Sequence, residues 1–143
     1  MILATIAETP RVRNSPWVID TSVVAAMIFE DNAADLLTLP PEARRFVAPS
    51  IIRYEFLSVC AKKERAGLID ADRALDAWRE FEELEIATEY ASFPESLAMA
   101  LRYRLSGYDA TYLWFAVSQG LELLTLDKQL AKAWRKAAKE LAP

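Results

Sequence analysis

The sequence predicts an α/β fold in which a parallel sheet is covered by helices on both faces. Short apolar runs of strand length alternate with longer segments in which apolar residues recur at helical spacing. Parallel strands require such crossover helices, and the helices bury both faces of the sheet. At 143 residues and 53% hydrophobic composition, the chain has the size of one domain and enough apolar residues for a packed core.

Residues 1–16 are predicted to form an N-terminal extension, and residues 17–143 the folded domain. Pro10 and Pro16 limit regular structure in the extension. Its opening apolar residues lack a basic start, so we do not interpret them as a signal peptide.

Two strand–helix units are predicted in the first half of the domain. Trp17-Val18-Ile19 is a buried strand that ends at Asp20, and Thr21 and Ser22 are expected to cap the next helix. A short helix is expected from Asp31 to the proline pair at 40–41. The second unit is the strand 46–48, closed by Pro49, and a helix from Ser50 to Gly67 with Ile51, Tyr54, Leu57 and Val59 facing inward.

The second half adds four predicted helices and two predicted strands. Pro94 favours a helix start, glycines favour helix ends, and the run before Asp127 is the most clearly apolar. The elements are a helix over 70–83 with Leu75, Trp78 and Phe81 inward, a weak strand over 85–88, a helix from Phe93 to Ser106 ended by Gly107, a helix from Asp109 to Gln119, a strand over 121–126 and a basic helix from Lys128.

The composition excludes several classes of site. The chain has no histidine and one cysteine, which rules out histidine general bases, Ser-His-Asp triads, zinc sites of histidine or thiolate, and an internal disulfide. No apolar run approaches the ~20 residues of a membrane helix, so we expect no membrane association and a cytoplasmic location. Any bound metal must be held by oxygen.

Four acidic residues lie at the edges of apolar or helical segments, where a carboxylate rarely stabilises a fold. Buried strand ends tolerate a carboxylate only with a cation or a hydrogen-bond donor, and Mg²⁺ and Mn²⁺ prefer oxygen ligands. In an open α/β sheet, ligands bind beyond the carboxyl ends of the strands, where two of these acids fall. The four are Asp20, Glu55, Asp109 and Asp127.

This carboxylate set suits a metal that activates water and stabilises the leaving oxygen in phosphodiester cleavage. Thr21, Ser22 and Thr125 are candidates to position water or a phosphate oxygen. Each residue also has a structural alternative, since Thr21 and Ser22 are good helix caps and each acid alone is more often a cap or a surface residue. The joint pattern favours one site.

The net charge of −4 does not by itself indicate nucleic-acid binding. Without the four candidate acids, acidic and basic residues are equal in number, at 17 each. Basic residues cluster around residues 44–65 and 128–139, where they form either solvated helix faces or a track for a phosphate backbone. Charge leaves both interpretations open.

The ordered motifs resemble those of PIN-domain nucleases, especially the VapC-type toxins of toxin–antitoxin pairs. The resemblance covers most of the chain from Trp17 to Trp134. No single motif is specific, but four in this order are. They are Val18-Ile19-Asp20-Thr21-Ser22, Pro49-Ser50 through Glu55, Tyr108-Asp109-Ala110-Thr111-Tyr112-Leu113 and Leu124-Thr125-Leu126-Asp127.

The resemblance implies a PIN-like three-layer fold and a Mg²⁺-dependent endoribonuclease, with Mn²⁺ as a substitute. It implies that Asp20 and Asp109 are the principal metal ligands, Glu55 a third acid and Asp127 an outer or water-mediated member. It also implies an RNA substrate, a cognate antitoxin protein and a homodimer. Ser58 stands where many members carry Asn, and the N-terminal extension is longer than usual.

Three alternatives compete with this interpretation. A haloacid-dehalogenase-type phosphatase needs a second Asp two residues after the first, where this chain has Ser22. A receiver domain needs an Asp at its central strand, and Val47-Ala48-Pro49 offers none. A non-catalytic PIN-like module that binds RNA or protein is the serious alternative, although a scaffold has no need for four carboxylates.

Overall fold

The computed structural model describes residues 15–30 and 45–141, and these residues contain four strands and six helices. The strands are β1 (Trp17–Ile19), β2 (Phe46–Pro49), β3 (Ala87–Glu89) and β4 (Leu123–Leu124). The helices are α1 (Thr21–Phe29), α2 (Ile51–Arg65), α3 (Ala71–Glu83), α4 (Phe93–Tyr103), α5 (Gly107–Ser118) and α6 (Lys128–Glu140). The predicted extension up to residue 14 and the short helix expected from Asp31 lie outside the described residues.

The four described strands form one parallel sheet in the order β3-β2-β1-β4. Val18 of the central strand β1 pairs with Val47 on one side and with Leu123 on the other. All strands therefore end at the same rim, and the residues that follow β1, β2 and β4 meet there. The predicted α/β class with a parallel sheet flanked by helices is confirmed.

Two groups of helices enclose the sheet and create its core. Helix α5 packs on β1, β2 and β4 and also contacts α4 and α6, whereas α2 packs on β2 and contacts α1 and α3. The helices bury β1, β2 and β4 almost completely, whereas the edge strand β3 remains largely exposed. The largest fully buried side chains include Ile19, Ile52, Phe56, Leu113 and Leu124.

The sequence pattern misassigned the inward face of α2 and one position of α3, whose other predicted inward residues, Trp78 and Phe81, do pack in or against the core. Tyr54 and Leu57 were expected in the core, but they are 73% and 56% exposed, and Leu75 of α3 is 61% exposed. The core positions of α2 are instead Ile52, Phe56 and Cys60, whose spacing is equally helical. The ring of Phe56 stacks on Phe81 of α3, with ring centroids 4.8 Å apart, and this contact fixes which face of α2 turns inward.

Local backbone geometry confirms one predicted helix end and corrects several other element bounds. Gly67 ends α2 as expected, with φ of +73° and a hydrogen bond from Leu68 N to Lys63 O. Helix α4 ends at Tyr103 rather than at Ser106, because Arg104 adopts the left-handed conformation. Gly107 therefore begins α5 instead of ending α4, and the last strand is shorter than the predicted run over 121–126.

None of the helices in the described part of the chain combines the length and apolar character that a membrane crossing requires.

Candidate active site

Asp20 occupies the centre of the rim, directly after the central strand β1. Its side chain is only 5% exposed. The carboxylate accepts three hydrogen bonds, from Val23 N at 3.2 Å, from Ser22 Oγ at 2.6 Å and from Thr125 Oγ1. Such donors stabilise a buried carboxylate that would otherwise be costly. Asp20 is therefore the N-cap of α1 and at the same time a fixed, buried acceptor at the end of the sheet.

This arrangement corrects the expectation that Thr21 and Ser22 cap α1. The cap is Asp20, which adopts the extended conformation typical of an N-cap and accepts from Val23 N. Ser22 instead bridges two rim segments, because its hydroxyl donates to Asp20 and accepts from Leu126 N at 3.1 Å. Ser22 thus positions the acid rather than the helix end.

Thr125 reaches the same carboxylate from the end of β4 and is fully buried. Its hydroxyl donates to Asp20 Oδ2 and accepts from the backbone N–H of Asp127 at 3.0 Å. Asp127 in turn caps α6, because its Oδ1 accepts from Leu130 N at 2.9 Å. Thr125 therefore connects Asp20 to the start of the last helix, and one oxygen of Asp127 is used for capping.

Glu55 is held by a second hydrogen-bond group that joins three helices. Tyr112 of α5 donates from Oη to Glu55 Oε1 at 2.7 Å, and Thr21 Oγ1 lies 3.2 Å from the same oxygen. Thr21 Oγ1 also lies 3.0 Å from Tyr112 Oη. Both hydroxyls contact Oε1, and this gives the carboxylate of Glu55 a defined orientation. Neither of the two hydroxyl contacts involves Oε2.

Asp109 lies in the first turn of α5 and is half-buried. The N-cap is Ser106, whose Oγ accepts from the backbone N–H of Asp109 at 3.1 Å. The expected alternative that Asp109 is itself the cap is therefore wrong. The helix dipole favours a negative charge in this first turn.

The electrostatics of the rim couple the candidate acids to one another. Burial raises the pKa of Asp20, the hydrogen bonds from Ser22, Thr125 and Val23 oppose this, and the charge of Glu55 adds to it. Burial also raises the pKa of Asp109, and the negative charges of Asp127 and Asp20 raise it further. Like charges so close together favour protonation unless a cation compensates them.

The residues at the rim fit a hard divalent cation bound largely through water. Within residues 15–30 and 45–141, no group of three or more histidine, cysteine or acidic side chains is close enough to hold a metal by itself. A carboxylate offers about four acceptor sites, and Asp20 uses three of them for hydrogen bonds. Asp20 and Asp109 are the carboxylates that would hold a cation such as Mg²⁺, which keeps several waters and takes one or two carboxylates.

Sequence reasoning missed two residues that shape this site. Tyr112 was named as part of the motif around Asp109 and not as a site residue, whereas in the structure it is buried and its hydroxyl orients Glu55. Its position three residues after Asp109 places it one helical turn further along the same helix, a spacing that could have indicated a shared site. Ser106 caps α5 and was expected inside the preceding helix.

Comparison with known proteins identifies the fold and the family. The PIN domain profile matches residues 17–136, which is most of the chain. The chain belongs to the PIN-domain family. This PIN domain is 29% identical over 120 residues to Ribonuclease VapC3 of Pyrobaculum aerophilum, an alignment that covers 80% of this chain and 92% of that protein.

A solved structure supports the same architecture. The crystal structure of PAE2754 from Pyrobaculum aerophilum superposes on this PIN domain with a TM-score of 0.69 and 22% sequence identity. The match covers 90% of this chain and 96% of that chain. At this identity the likeness establishes the fold alone. The predicted PIN-like three-layer fold and the resemblance to VapC-type proteins are both confirmed.

Proposed function

We propose that this protein is a metal-dependent endoribonuclease that acts as the toxin of a toxin–antitoxin pair. The observation that carries the proposal is the buried Asp20 carboxylate, which three donors fix at the rim within electrostatic range of Asp109. The PIN-domain membership and the similarity to a protein named as a ribonuclease support a nuclease. The proposal includes the division of the chain into an N-terminal extension, residues 1–16, and a nuclease domain, residues 17–143.

Each rim residue has a proposed role that follows from its contacts. Asp20 and Asp109 hold Mg²⁺, or Mn²⁺ in its place, and Glu55 is the third acid of the site. Asp127 is an outer or water-mediated member, because one of its oxygens caps α6. The three hydroxyl residues orient these acids, since Ser22 and Thr125 fix Asp20 and Thr21 contacts Glu55.

A divalent ion bound here would activate water and stabilise the leaving oxygen of a phosphodiester. The protein's own contribution is to hold the acids in fixed geometry. The positive charge of the ion would oppose the burial and the negative charges of Asp127 and Asp20, which together raise the pKa of Asp109. The lack of histidine is compatible with this chemistry, because the acids can accept protons from water.

The proposed partners are an RNA substrate, an antitoxin protein and a second copy of this chain, in the cytoplasm. For the homodimer, we infer that α4 supplies the contact surface. Phe93, Leu97 and Leu101 of α4 are all exposed and recur every four residues on one side of the helix. An exposed apolar face of this kind is typical of an interaction surface.

The decisive experiment measures cleavage of labelled RNA by the purified protein with Mg²⁺ or Mn²⁺ and with EDTA. We expect cleavage that needs the metal and that falls to background in Asp20→Asn and Asp109→Asn. Asp76→Asn is the matched control, because Asp76 is exposed and its pair with Arg79 is a surface ion pair of small energetic value. The control should cleave like the wild type.

Two other outcomes would contradict the proposal. Cleavage that survives both substitutions would place the chemistry elsewhere or in a contaminant. No cleavage of any RNA, together with no thermal stabilisation by Mg²⁺ or Mn²⁺, would favour a non-catalytic PIN-like module that binds RNA or protein.

A further inference from the structure

Helix α2 exposes large side chains beside the candidate active site. Tyr54 is 73% exposed although the pattern of α2 predicted it in the core. Scattered exposed hydrophobic residues are ordinary, but exposed aromatic rings that line a groove indicate a binding surface. Tyr54 lines two grooves, one on each side of it.

The first groove begins at the candidate active site itself. Its lining includes Thr21 and Glu55, which belong to the rim, and then Lys62 of α2. Tyr54 and Tyr108 contribute aromatic rings to the same groove, and Tyr108 is 61% exposed in the first turn of α5, next to Asp109. A ligand that leaves the acids along this groove therefore meets two aromatic side chains and one ammonium group.

The second groove continues from Tyr54 toward the sheet edge formed by β3. Tyr54, Trp78 and Tyr90 line it, and Tyr90 is 88% exposed. Arg53, one residue before Tyr54, supplies a guanidinium group, whereas Glu89 of β3 supplies a carboxylate. Tyr54 lines both grooves, so they adjoin at this residue, and we refer to the two together as the path from the rim to the sheet edge.

We propose that this path binds the single-stranded segment of RNA that flanks the cleaved bond. Its aromatic side chains offer faces for successive unpaired bases, and Lys62 and Arg53 offer contacts for the phosphates between them. Stacking platforms combined with cations are the typical means of binding single-stranded nucleic acid with little sequence preference. The identity of the ligand as RNA rests on the function proposed above.

The charges along the path favour single-stranded RNA over duplex RNA and indicate where the phosphates of the bound strand lie. Each groove has one basic side chain and one acid, and Glu55 is already paired with Tyr112 and Thr21. So few cations give a weak electrostatic contribution, which means that base stacking must supply most of the affinity. Bases within a duplex cannot stack on protein rings, so the path requires unpaired RNA. Phosphates are expected on the side of Arg53, away from Glu89.

The test is RNA binding without cleavage, measured by fluorescence anisotropy in EDTA with a labelled single strand of about ten nucleotides. Tyr54→Ala should weaken binding about 5- to 100-fold, which is the range for the loss of one stacking ring. Tyr54→Phe keeps the ring and should bind like the wild type. Leu75→Ala, which removes an exposed side chain from α3 outside both grooves and outside the proposed dimer face, is the control for a general surface effect.

Two results would overturn the proposal. One is wild-type affinity in Tyr54→Ala, which would indicate that the path serves a polypeptide instead. The other is a duplex RNA that binds as tightly as the single strand and is equally weakened by Tyr54→Ala. Because the assay needs no metal, its outcome is independent of the cleavage test. If the protein cleaves RNA but Tyr54→Ala binds RNA like the wild type, only the proposed path is refuted. If Tyr54→Ala weakens RNA binding but the wild type cleaves no RNA, only the catalytic proposal is refuted.

Discussion

Thr125 donates a hydrogen bond to the Asp20 carboxylate across 105 residues of sequence, and both side chains are buried. The contact exists because β1 and β4 are parallel neighbours, so their final residues meet at one rim. Thr125 also accepts from Asp127 N, which makes it a link between two of the candidate acids. Its hydroxyl should therefore matter for both stability and metal binding.

Thr125→Val should weaken both properties while keeping the shape of the side chain. Loss of the hydroxyl leaves the buried Asp20 carboxylate with one donor fewer, which costs about 1–3 kcal/mol of unfolding free energy. Loss of a residue that orients a metal ligand lowers metal affinity and activity about 10- to 100-fold. Denaturant unfolding and a Mn²⁺ titration measure the two effects. Thr125→Ser restores the hydroxyl and should recover most of both, so equal losses in the two variants would refute the orienting role.

Tyr112→Phe tests whether the orientation of Glu55 matters for catalysis. The variant removes the donor to Glu55 Oε1 and keeps the buried ring, so the unfolding free energy should fall by only about 0.5–1.5 kcal/mol. We expect kcat to fall about tenfold or more while KM for RNA changes little, because the substitution alters positioning and not substrate contacts.

Tyr103→Phe is the matched control for Tyr112→Phe. Tyr103 Oη donates to Glu140 Oε2 at 2.8 Å, so it makes the same kind of hydrogen bond to a carboxylate, but between α4 and α6. Steady-state kinetics of the two variants should differ sharply. A similar loss of kcat in both would show that the effect of Tyr112 is a general loss of stability.

Asp109→Asn should stabilise the metal-free protein at neutral pH. The pKa of Asp109 in the folded protein is raised above its ordinary value of 3.8, first by burial and then by Asp127 and Asp20. The folded state therefore binds this proton more tightly than the unfolded state. The resulting stability is present below about pH 3.8 and is lost as pH rises through the raised pKa. Asp109→Asn has no titrating carboxyl at this position, so it does not lose stability in this way as the pH rises.

Thermal unfolding in EDTA from pH 3 to pH 8 should show this difference between the two proteins. The melting temperature of Asp109→Asn should exceed that of the wild type at neutral pH, and the gap should close as the pH falls. Added Mn²⁺ should reverse the order, since a ligand that binds only the folded wild type stabilises it. Asp76→Asn should follow the wild type throughout. A variant that is less stable than the wild type in EDTA at neutral pH would contradict the raised pKa of Asp109.

Leu97→Lys should convert a homodimer into a monomer. Leu97 lies between Phe93 and Leu101 on the exposed face of α4, and a lysine at the centre of an apolar interface would leave a buried, unpaired charge. Light scattering and circular dichroism would measure mass and folding. Leu75→Lys on α3 is the control, because Leu75 is similarly exposed. A wild type that is monomeric, or a variant that remains dimeric, would exclude this face.

The local positions of the acids were predictable because they depend on short segments of chain. An apolar run followed by an acid predicted β1 and Asp20, and a basic segment after Asp127 predicted α6, with capping as the structural alternative for Asp127. Capping and strand ends are set by neighbours within a few residues, so the sequence shows them directly. The start of α5 at Gly107 has the same local origin, since Ser106 is the N-cap and accepts a hydrogen bond from Asp109 N.

The sequence alone determined the fold class, the four ordered acids and the need for oxygen ligands, because these depend on composition and local pattern. The tertiary structure decided which residues surround each acid. The strand order brings Thr125 to Asp20, and the packing of α5 brings the Tyr112 hydroxyl to Glu55. It also decided that α2 buries Phe56 and exposes Tyr54, because the choice between two helical stripes depends on where α3 and the sheet offer apolar surface. Contacts between distant segments arise from the packing of the whole chain, and no local pattern specifies them.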